Sequence, residues 1–254
     1  MKKRIGIAGY GFVGSTYAEA LEKYHDLYIV DPKLNDNKFN GQELDGVIVC
    51  VPTPSNADGS CDYSALIDVM DDIDNPLTPI LIKSTIDLRA WEYLYNNYAN
   101  PFCFSPEFLR QEHATRDLEK SERVILSGES TYYWWEVLTE SKVFRMKMYS
   151  HHESVENAII SKYVINSFLA MKVSFFNQLY DFCLDRDISF ETVRSIVRGD
   201  ERIGDSHTYV TKERGWGGAC FPKDTEAFLN MDYRNRLTLL ENAVEYNKEL
   251  KKSP

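Results

Sequence analysis

The chain has 254 residues, 43% of them hydrophobic and 27% charged, a composition typical of one large or two modest globular domains. Its 29 basic and 39 acidic side chains give a net charge of −10, which excludes the overall basic footprint of a nucleic-acid-binding protein. No apolar stretch approaches the roughly 18 uninterrupted residues of a membrane-spanning helix, so we expect neither a nucleic acid nor a membrane as partner.

The N-terminal residues indicate the start of a fold and not an export signal. The basic start leads at once into a short apolar run and glycines, without the apolar region and cleavage site of a signal peptide. The five cysteines are scattered and include no CxxC pair, which suits a reducing compartment and a protein without a metal site. We therefore expect a cytoplasmic protein.

Six short apolar runs in the first half are typical of strands that are buried on both faces of a sheet. The segments between them leave room for helices, so this half predicts a parallel α/β domain. The segment 32–46 is an exception, because it is short and rich in Asn, Asp and Lys and cannot hold a full strand-helix repeat. The predicted strands are 4–8, 27–30, 46–51, 79–83, 102–104 and 124–126.

A glycine-rich pattern follows the first predicted strand. Gly9, Gly11 and Gly14 form G-x-G-x-x-G, and a helical pattern follows over 15–24. The glycines permit the tight turn and the close backbone approach by which a pyrophosphate binds a helix N-terminus. Asp31 ends the next predicted strand, where a carboxylate can bind the adenosine ribose hydroxyls and repels a 2′-phosphate. The pattern predicts a Rossmann-like domain that binds NAD in preference to NADP.

A long helix is predicted over 153–186, where glycine and proline are absent and apolar residues recur at steps of three and four. We therefore predict two domains, a NAD-binding domain over 1–150 and an all-helical domain over 151–254 built on this helix. Lys162 and Asn166 lie one turn apart on its apolar stripe. A lysine directed inward needs an anionic ligand or a proton-transfer task. The alternative is that Lys162 extends along the helix to solvent.

The segment 215–224 reads GWGGACFPKD and indicates a reactive cysteine. Pro222 fits the first turn of a helix predicted over 223–230, which places Cys220 at a helix N-terminus beside Lys223. Both features favour the thiolate, which is the nucleophilic form. A buried structural role is the simpler interpretation of Cys50, Cys103 and Cys183.

These motifs together resemble the UDP-glucose/GDP-mannose dehydrogenase family, whose members oxidise the C6 alcohol of a nucleotide-sugar to a carboxylate with two NAD. The resemblance runs from residue 5 to about residue 247, with its blocks in the family's order. The matching blocks are GYGFVG at 9–14, VPTP at 51–54, KST at 83–85, SPEFLR at 105–110, SKYVINSFLA at 161–170, RIG at 202–204 and GWGGACFPKD at 215–224.

The resemblance implies a role for each site residue. Cys220 would capture the aldehyde as a thiohemiacetal, which a second oxidation converts into a thioester. Lys162 and Asn166 would stabilise the substrate oxygen as it becomes anionic. Glu107 would be the acid/base carboxylate, and Asp224 with Thr85 would position water. The implied NAD contacts are Gly9, Gly11, Phe12, Val13, Gly14, Asp31, Pro52, Thr53, Thr85 and Lys223. The implied substrate contacts are Phe108, Leu109, Arg110, Lys162, Asn166, Gly217 and Arg202, the last reaching the neighbouring subunit's site.

The sequence also departs from the family's pattern. Gln111 and then Glu112 follow SPEFLR, where the family continues directly with a glutamate, and an Asn-Glu pair of the long helix reads Asn177 and Gln178. Two additional residues separate Arg202 from Cys220. The family's C-terminal nucleotide-sugar-binding domain has no counterpart in this sequence, so we expect a short form of these enzymes.

Three functions compete. The first is a minimal nucleotide-sugar 6-dehydrogenase with UDP-glucose as the expected substrate. The second is a β-hydroxyacid-dehydrogenase-like enzyme, which transfers a single hydride and has no need of the Cys220 loop. The third is a non-catalytic protein that binds NAD or a nucleotide-sugar.

A homodimer is predicted from the long helix. Tyr163, Phe168, Phe175 and Phe182 lie outside its main apolar stripe, and aromatic surface of that extent needs a second subunit to cover it. The resemblance implies the same interface.

Overall fold

The protein, in a computed structural model that describes residues 2–108, 118, 123–141, 148–152 and 154–252, forms two compact units. The first unit comprises Met1–Asn56 and Cys61–Lys162, and the second comprises Ala57–Ser60 and Tyr163–Pro254. This division by contacts lies after Lys162, and the domain boundary near residue 150 stays a prediction.

The first unit is built on the strands β1 Arg4–Ala8, β2 Asp26–Val30, β3 Gly46–Val49, β4 Ile80–Ile82, β5 Phe102–Phe104, β6 Arg123–Gly128 and β7 Met148–His152. They form one sheet in the order β2-β1-β3-β4-β5-β6-β7. Neighbouring strands are parallel except β5 and β6, which are antiparallel. The predicted fold class is confirmed. The antiparallel direction of β6 was not predicted, because an apolar run indicates burial and not strand direction. The strand β7 was not predicted, because none of the six apolar runs covers it.

Four helices are described in this unit: α1 Phe12–Leu21, α2 Ser64–Asp71, α3 Leu88–Asn97 and α4 Thr131–Glu140. Tyr17 and Leu21 of α1 share one core with the sheet and with Trp134 of α4. No helix is described between β2 and β3, as the composition of that segment predicted. Phe39 is buried there instead, and its ring lies 2.8 Å from the position that a Cβ at Gly6 would occupy. A phenylalanine therefore packs against β1 where a longer crossover would place a helix.

The described part of the second unit contains helices and loops. The helices are α5 Val155–Leu184, which begins in the first unit, α6 Phe190–Val197, α7 Phe221–Met231 and α8 Thr238–Lys252. Ala170 and Val173 of α5 pack with Trp216 and with Leu240 and Val244 of α8. The long helix is confirmed, with 30 residues.

The aromatic residues of α5 differ in their surroundings. Tyr163 is buried and stacks on Phe228, so its assignment to an uncovered surface was wrong. Phe168, Phe175 and Phe182 are exposed. By length and composition α5 could cross a membrane, but half of its most apolar window is buried, as expected of a core helix.

Candidate active site

The glycine loop after β1 fits a dinucleotide. Gly9 has φ +83°, and a Cβ at Gly14 would lie 1.9 Å from the Gly9 carbonyl oxygen, so both positions require glycine. A Cβ at Gly11 would meet nothing within 4 Å. Gly11 is the N-cap of α1 and offers no side-chain cap, so no capping side chain takes up the first backbone N–H groups of the helix, at Phe12 and Val13. This is an arrangement that can bind a pyrophosphate.

Asp31 lies directly after β2 and orders the same loop. Its carboxylate accepts hydrogen bonds from the backbone N–H of Tyr10 at 2.6 Å and of Lys33 at 2.8 Å. A carboxylate offers about four acceptor positions, so Asp31 can still accept bonds from two ribose hydroxyls. A carboxylate that accepts bonds from the ribose hydroxyls favours NAD over a cofactor with a 2′-phosphate, because it repels the phosphate.

Two other predicted cofactor residues lie together at the carboxyl ends of β3 and β4. The buried Thr53 hydroxyl donates to the Thr85 carbonyl oxygen at 2.6 Å, and the Cys61 thiol lies 3.6 Å from the same oxygen. Pro52 is exposed beside them. These contacts fix the backbone of Thr85 and leave its half-buried side chain at the edge of the sheet where ligands of parallel α/β folds bind.

Glu107 follows β5 and is surrounded by hydrogen-bond donors. Its Oε2 lies 3.1 Å from Lys83 Nζ and accepts from the Tyr17 hydroxyl at 3.1 Å, and its Oε1 accepts from the Phe108 N–H at 2.8 Å. Burial, and then the charge of Glu107, raise the pKa of Tyr17 well above its usual value. The Tyr17 hydroxyl therefore stays protonated and remains a donor.

Sequence reasoning missed Lys83 and Tyr17 as members of this site. Lys83 is buried, donates to Ser105 Oγ at 2.9 Å and lies 4.9 Å from the centre of the Tyr17 ring. A signal was present, because a lysine at the end of a strand buried on both faces requires a partner.

Lys162 is buried, so the alternative of a solvent-exposed lysine is wrong. Its Nζ donates to the main-chain carbonyl of Glu107 and lies 5.0 Å from the centre of the Phe108 ring. The first unit thus brings together three predicted residues, Glu107, Phe108 and Lys162. Leu109 and Arg110 lie outside the described residues.

The second unit holds the predicted nucleophile. Cys220 is the exposed N-cap of α7, and Pro222 lies in the first turn as predicted. Burial raises the pKa of Cys50 and of Cys103 to about 12, so both remain protonated at neutral pH. Cys183 is also buried. Cys220 is the exposed thiol among the described residues.

A buried carboxylate lies in the same first turn of α7. Asp224 accepts a hydrogen bond from the Asn166 side-chain amide and, at 2.7 Å, from Lys223 Nζ. Lys223 is therefore paired with Asp224. Because the amide nitrogen of Asn166 carries two hydrogens, this contact leaves a second hydrogen to donate.

Two further predicted residues of this unit are exposed. Gly217 lies in the loop before Cys220, and Arg202 forms an ion pair with Asp200 at 2.5 Å. Among the residues that the structure describes, no group of three His, Cys, Asp or Glu side chains could hold a metal ion.

Comparisons with known proteins identify the family. Residues 33–141 match the model of the NAD binding domain of the UDP-glucose/GDP-mannose dehydrogenase family, and residues 156–249 match the model of its central domain. The chain belongs to this family. Its first unit accordingly contains the family's NAD-binding domain, and the open space at Gly11 with the carboxylate of Asp31 fits that cofactor.

Relatives and structures agree with this assignment. UDP-glucose 6-dehydrogenase of Rickettsia bellii is 28% identical over 92% of this chain and 56% of its own length. The enzyme of Pseudomonas aeruginosa is 30% identical over 72% of this chain and 43% of its own length. The chain therefore spans about half the length of the curated relatives it matches.

Two solved structures show the likeness of fold. UDP-glucose dehydrogenase of Pyrobaculum islandicum superposes with a TM-score of 0.81 at 21% identity, over 98% of this chain and 68% of that one. Mycobacterium tuberculosis 3-hydroxyisobutyrate dehydrogenase superposes with a TM-score of 0.72 at 16% identity, over 100% of this chain and 95% of that one.

Proposed function

We propose that the chain is an oxidoreductase that uses NAD to convert the C6 alcohol of a nucleotide-sugar into a carboxylate, with UDP-glucose as substrate and UDP-glucuronate as product. The observation that carries this proposal is Cys220, an exposed thiol at the N-cap of α7, with the buried Asp224 in the same first turn. A reaction that stops at a single oxidation does not require this thiol. The sugar is inferred from the names of the relatives.

The proposed chemistry assigns each step to side chains of this protein. NAD, when bound, would supply the acceptor for a hydride in each of the two oxidations. We assign Glu107 to take the proton that the C6 hydroxyl loses in the first oxidation. The Cys220 thiolate adds to the aldehyde carbon to form a carbon–sulfur bond, and the carbonyl oxygen becomes anionic. Lys162 Nζ and Asn166 Nδ2 are the donors that we assign to this oxygen, a role that stabilises the transition state by preorganised charge.

The second oxidation converts the thiohemiacetal into a thioester. Water then attacks the thioester carbon, the carbon–sulfur bond breaks, and the Cys220 thiolate leaves as the carboxylate forms. The attacking water must lose a proton, and we assign the carboxylate of Asp224 to accept it. Thr85 would orient this water.

We also propose a cytoplasmic homodimer that forms through α5, with Arg202 reaching the substrate of the partner subunit. The support is the exposure of Phe168, Phe175 and Phe182 on one helix. The exposed position of Arg202 agrees with a task outside its own subunit.

A second candidate is the single hydride transfer of β-hydroxyacid dehydrogenases. One observation favours it: the fold superposes on nearly the whole length of a 3-hydroxyisobutyrate dehydrogenase. A likeness at this level of identity concerns the fold alone. The third candidate, a binding protein without turnover, predicts that ligands bind and no NADH forms.

The stoichiometry of NADH separates these candidates. The protein is incubated with NAD and, separately, with a panel of UDP- and GDP-sugars and a panel of 2- and 3-hydroxyacids, while NADH absorbance and the product are followed. Two NADH for each acid formed are expected with UDP-glucose. One NADH from a 2- or 3-hydroxyacid and none from any nucleotide-sugar would favour the second candidate. Calorimetric binding of NAD and UDP-glucose with no NADH would favour the third.

A further inference from the structure

The loop that leads to Cys220 is attached to α8 by one asparagine side chain. Asn247 Oδ1 accepts a hydrogen bond from the Trp216 backbone N–H at 2.7 Å, and its Nδ2 donates to the Trp216 carbonyl at 3.0 Å. The amide thus pairs with both polar groups of one residue, as a neighbouring strand would. Asn247 is itself buried, on the same face of α8 as Leu240 and Val244.

The backbone of Gly215 packs directly against the side chain of Asn247. Its φ is +60°, and a Cβ there would lie 2.3 Å from Asn247 Oδ1. A side chain at this position would therefore collide with the amide that holds Trp216. The backbone N–H of Gly215 donates to Oδ1 of the fully buried Asn177 at 3.1 Å, so α5 holds the same point of the loop.

Trp216 precedes the exposed segment 217–220 and contacts Phe221, the residue that follows it. Its buried indole donates to Ser174 Oγ at 2.9 Å, and its ring packs edge-on against Phe221, the residue after Cys220, with 6.4 Å between centroids. The residues between, 217–220, are all exposed and include two glycines. A Cβ at Gly217 or at Gly218 would meet no atom within 4 Å, so the space around both glycines is open.

We propose that Asn247 is a positioning residue for Cys220, acting through the backbone and ring of Trp216. The inference rests on the proposed role of Cys220 as nucleophile. An unanchored glycine-rich loop would distribute the thiolate over many positions, whereas addition to an aldehyde needs the sulfur within about 3 to 3.5 Å of the carbon in one orientation. Asn247 removes that freedom without touching substrate.

The test compares Asn247→Ala with Asn242→Ala, a matched variant on the exposed face of the same helix. In Asn247→Ala we expect kcat to fall by about 10 to 100-fold, the size of loss that misplacement of about 1 Å causes. Kd for NAD should change by less than about twofold, because the glycine loop and Asp31 are untouched. KM for the sugar should change by a smaller factor than kcat, because Gly217 is the one implied substrate contact that lies in this loop. Hydrogen exchange of the peptide 214–220 should accelerate. Asn242→Ala should match the wild type in all four measurements.

Asn247→Gln separates positioning from folding. Its amide keeps both the acceptor and the donor for Trp216 but displaces them by one methylene group, so kcat should lie between those of the wild type and Asn247→Ala. If Asn247→Ala does not fold, as judged by circular dichroism, Asn247→Gln alone carries the comparison. Wild-type kcat in a folded variant whose 214–220 exchange is accelerated would overturn the inference.

The role of Asn247 can be tested even if the protein lacks the proposed dehydrogenase activity. A wild type that forms no NADH from any nucleotide-sugar would refute the proposed function. The exchange measurement would still decide whether Asn247 orders this loop, and unchanged exchange of 214–220 in Asn247→Ala would refute the inference.

Discussion

Lys83 and Glu107 form an ion pair that is almost completely removed from solvent, with 3% and 14% of their side-chain surfaces exposed and 3.1 Å between Nζ and Oε2. The two residues follow β4 and β5, which are neighbours in the sheet. The pair therefore fixes Glu107 at the carboxyl end of the strands. A buried charge is tolerated only while its partner remains, because the desolvation of a single ion is not compensated.

Lys83→Met should lower the free energy of unfolding by about 3 to 5 kcal/mol, the usual result of removing one partner from a buried ion pair. The double variant Lys83→Met/Glu107→Gln should recover most of this loss, because no uncompensated charge remains. Urea unfolding followed by circular dichroism measures both. Lys33→Met, at an exposed position near Asp31, is the control. A loss below about 1 kcal/mol in Lys83→Met would contradict the burial argument.

Substitution by alanine should affect stability and NAD binding differently at Gly11 and at Gly14. At Gly14 the new Cβ would lie 1.9 Å from a backbone oxygen, so α1 must shift and the unfolding free energy should fall by at least about 2 kcal/mol. At Gly11 the space is open, so Gly11→Ala should change stability by less than about 1 kcal/mol. It should nevertheless weaken NAD binding by at least about tenfold, because the methyl group occupies the approach of the pyrophosphate. Unchanged Kd for NAD by calorimetry would show that the pyrophosphate does not approach Gly11.

The strands and the glycine loop could be predicted from sequence because their signals are local. An apolar run of a few residues indicates a doubly buried strand, and the spacing of Gly9, Gly11 and Gly14 is a property of six consecutive residues. The pairing of Tyr17 with Glu107 joins residues 90 positions apart, and no local pattern contains it. The same holds for Asn247 and Trp216, although a polar residue on the apolar face of α8 was visible as an anomaly.

Asp31 should determine the preference for NAD. We expect the wild type to bind NADP at least about 100-fold more weakly than NAD, because a dianionic phosphate would lie beside the carboxylate. Asp31→Asn keeps an acceptor for the Tyr10 N–H and removes the charge, so this ratio should fall by about tenfold. Asp36→Asn, an exposed acid of the same segment, should leave the ratio unchanged. Equal affinities of the wild type for the two cofactors would refute the role of Asp31.

Cys220→Ser should separate the two oxidations. A serine hydroxyl at neutral pH is a far weaker nucleophile than a thiolate, so release of the acid should slow by at least about 1000-fold. Ala219→Ser places the same hydroxyl one residue earlier in the exposed loop and should keep substantial activity. The measurement is the amount of acid formed for each NADH, by chromatography. Acid release at the wild-type rate from Cys220→Ser would exclude the thioester.

The exposed aromatic residues of α5 predict how the chain assembles. Phe168, Phe175 and Phe182 are 60%, 60% and 50% exposed and recur every seven residues, so they lie on one face of the helix. Left in water they would promote aggregation, and a two-fold partner that offers the same face would bury them. We expect a dimer by light scattering at micromolar concentration, and a monomer when Phe175 is replaced by Glu. Ile196→Glu, at an exposed apolar residue of α6, should remain dimeric.

If Arg202 reaches the partner's substrate, two inactive variants should complement each other. A homodimer of Arg202→Ala lacks the arginine in both sites, and a homodimer of Cys220→Ser lacks the thiol in both. In a hybrid dimer, one site receives the intact cysteine of the first variant and the intact arginine of the second. Random exchange makes half of the dimers hybrids with one complete site each, so activity should return to about a quarter of the wild-type value. An absence of rescue, with subunit exchange proven by mass spectrometry, would place Arg202 at its own subunit's site or at none.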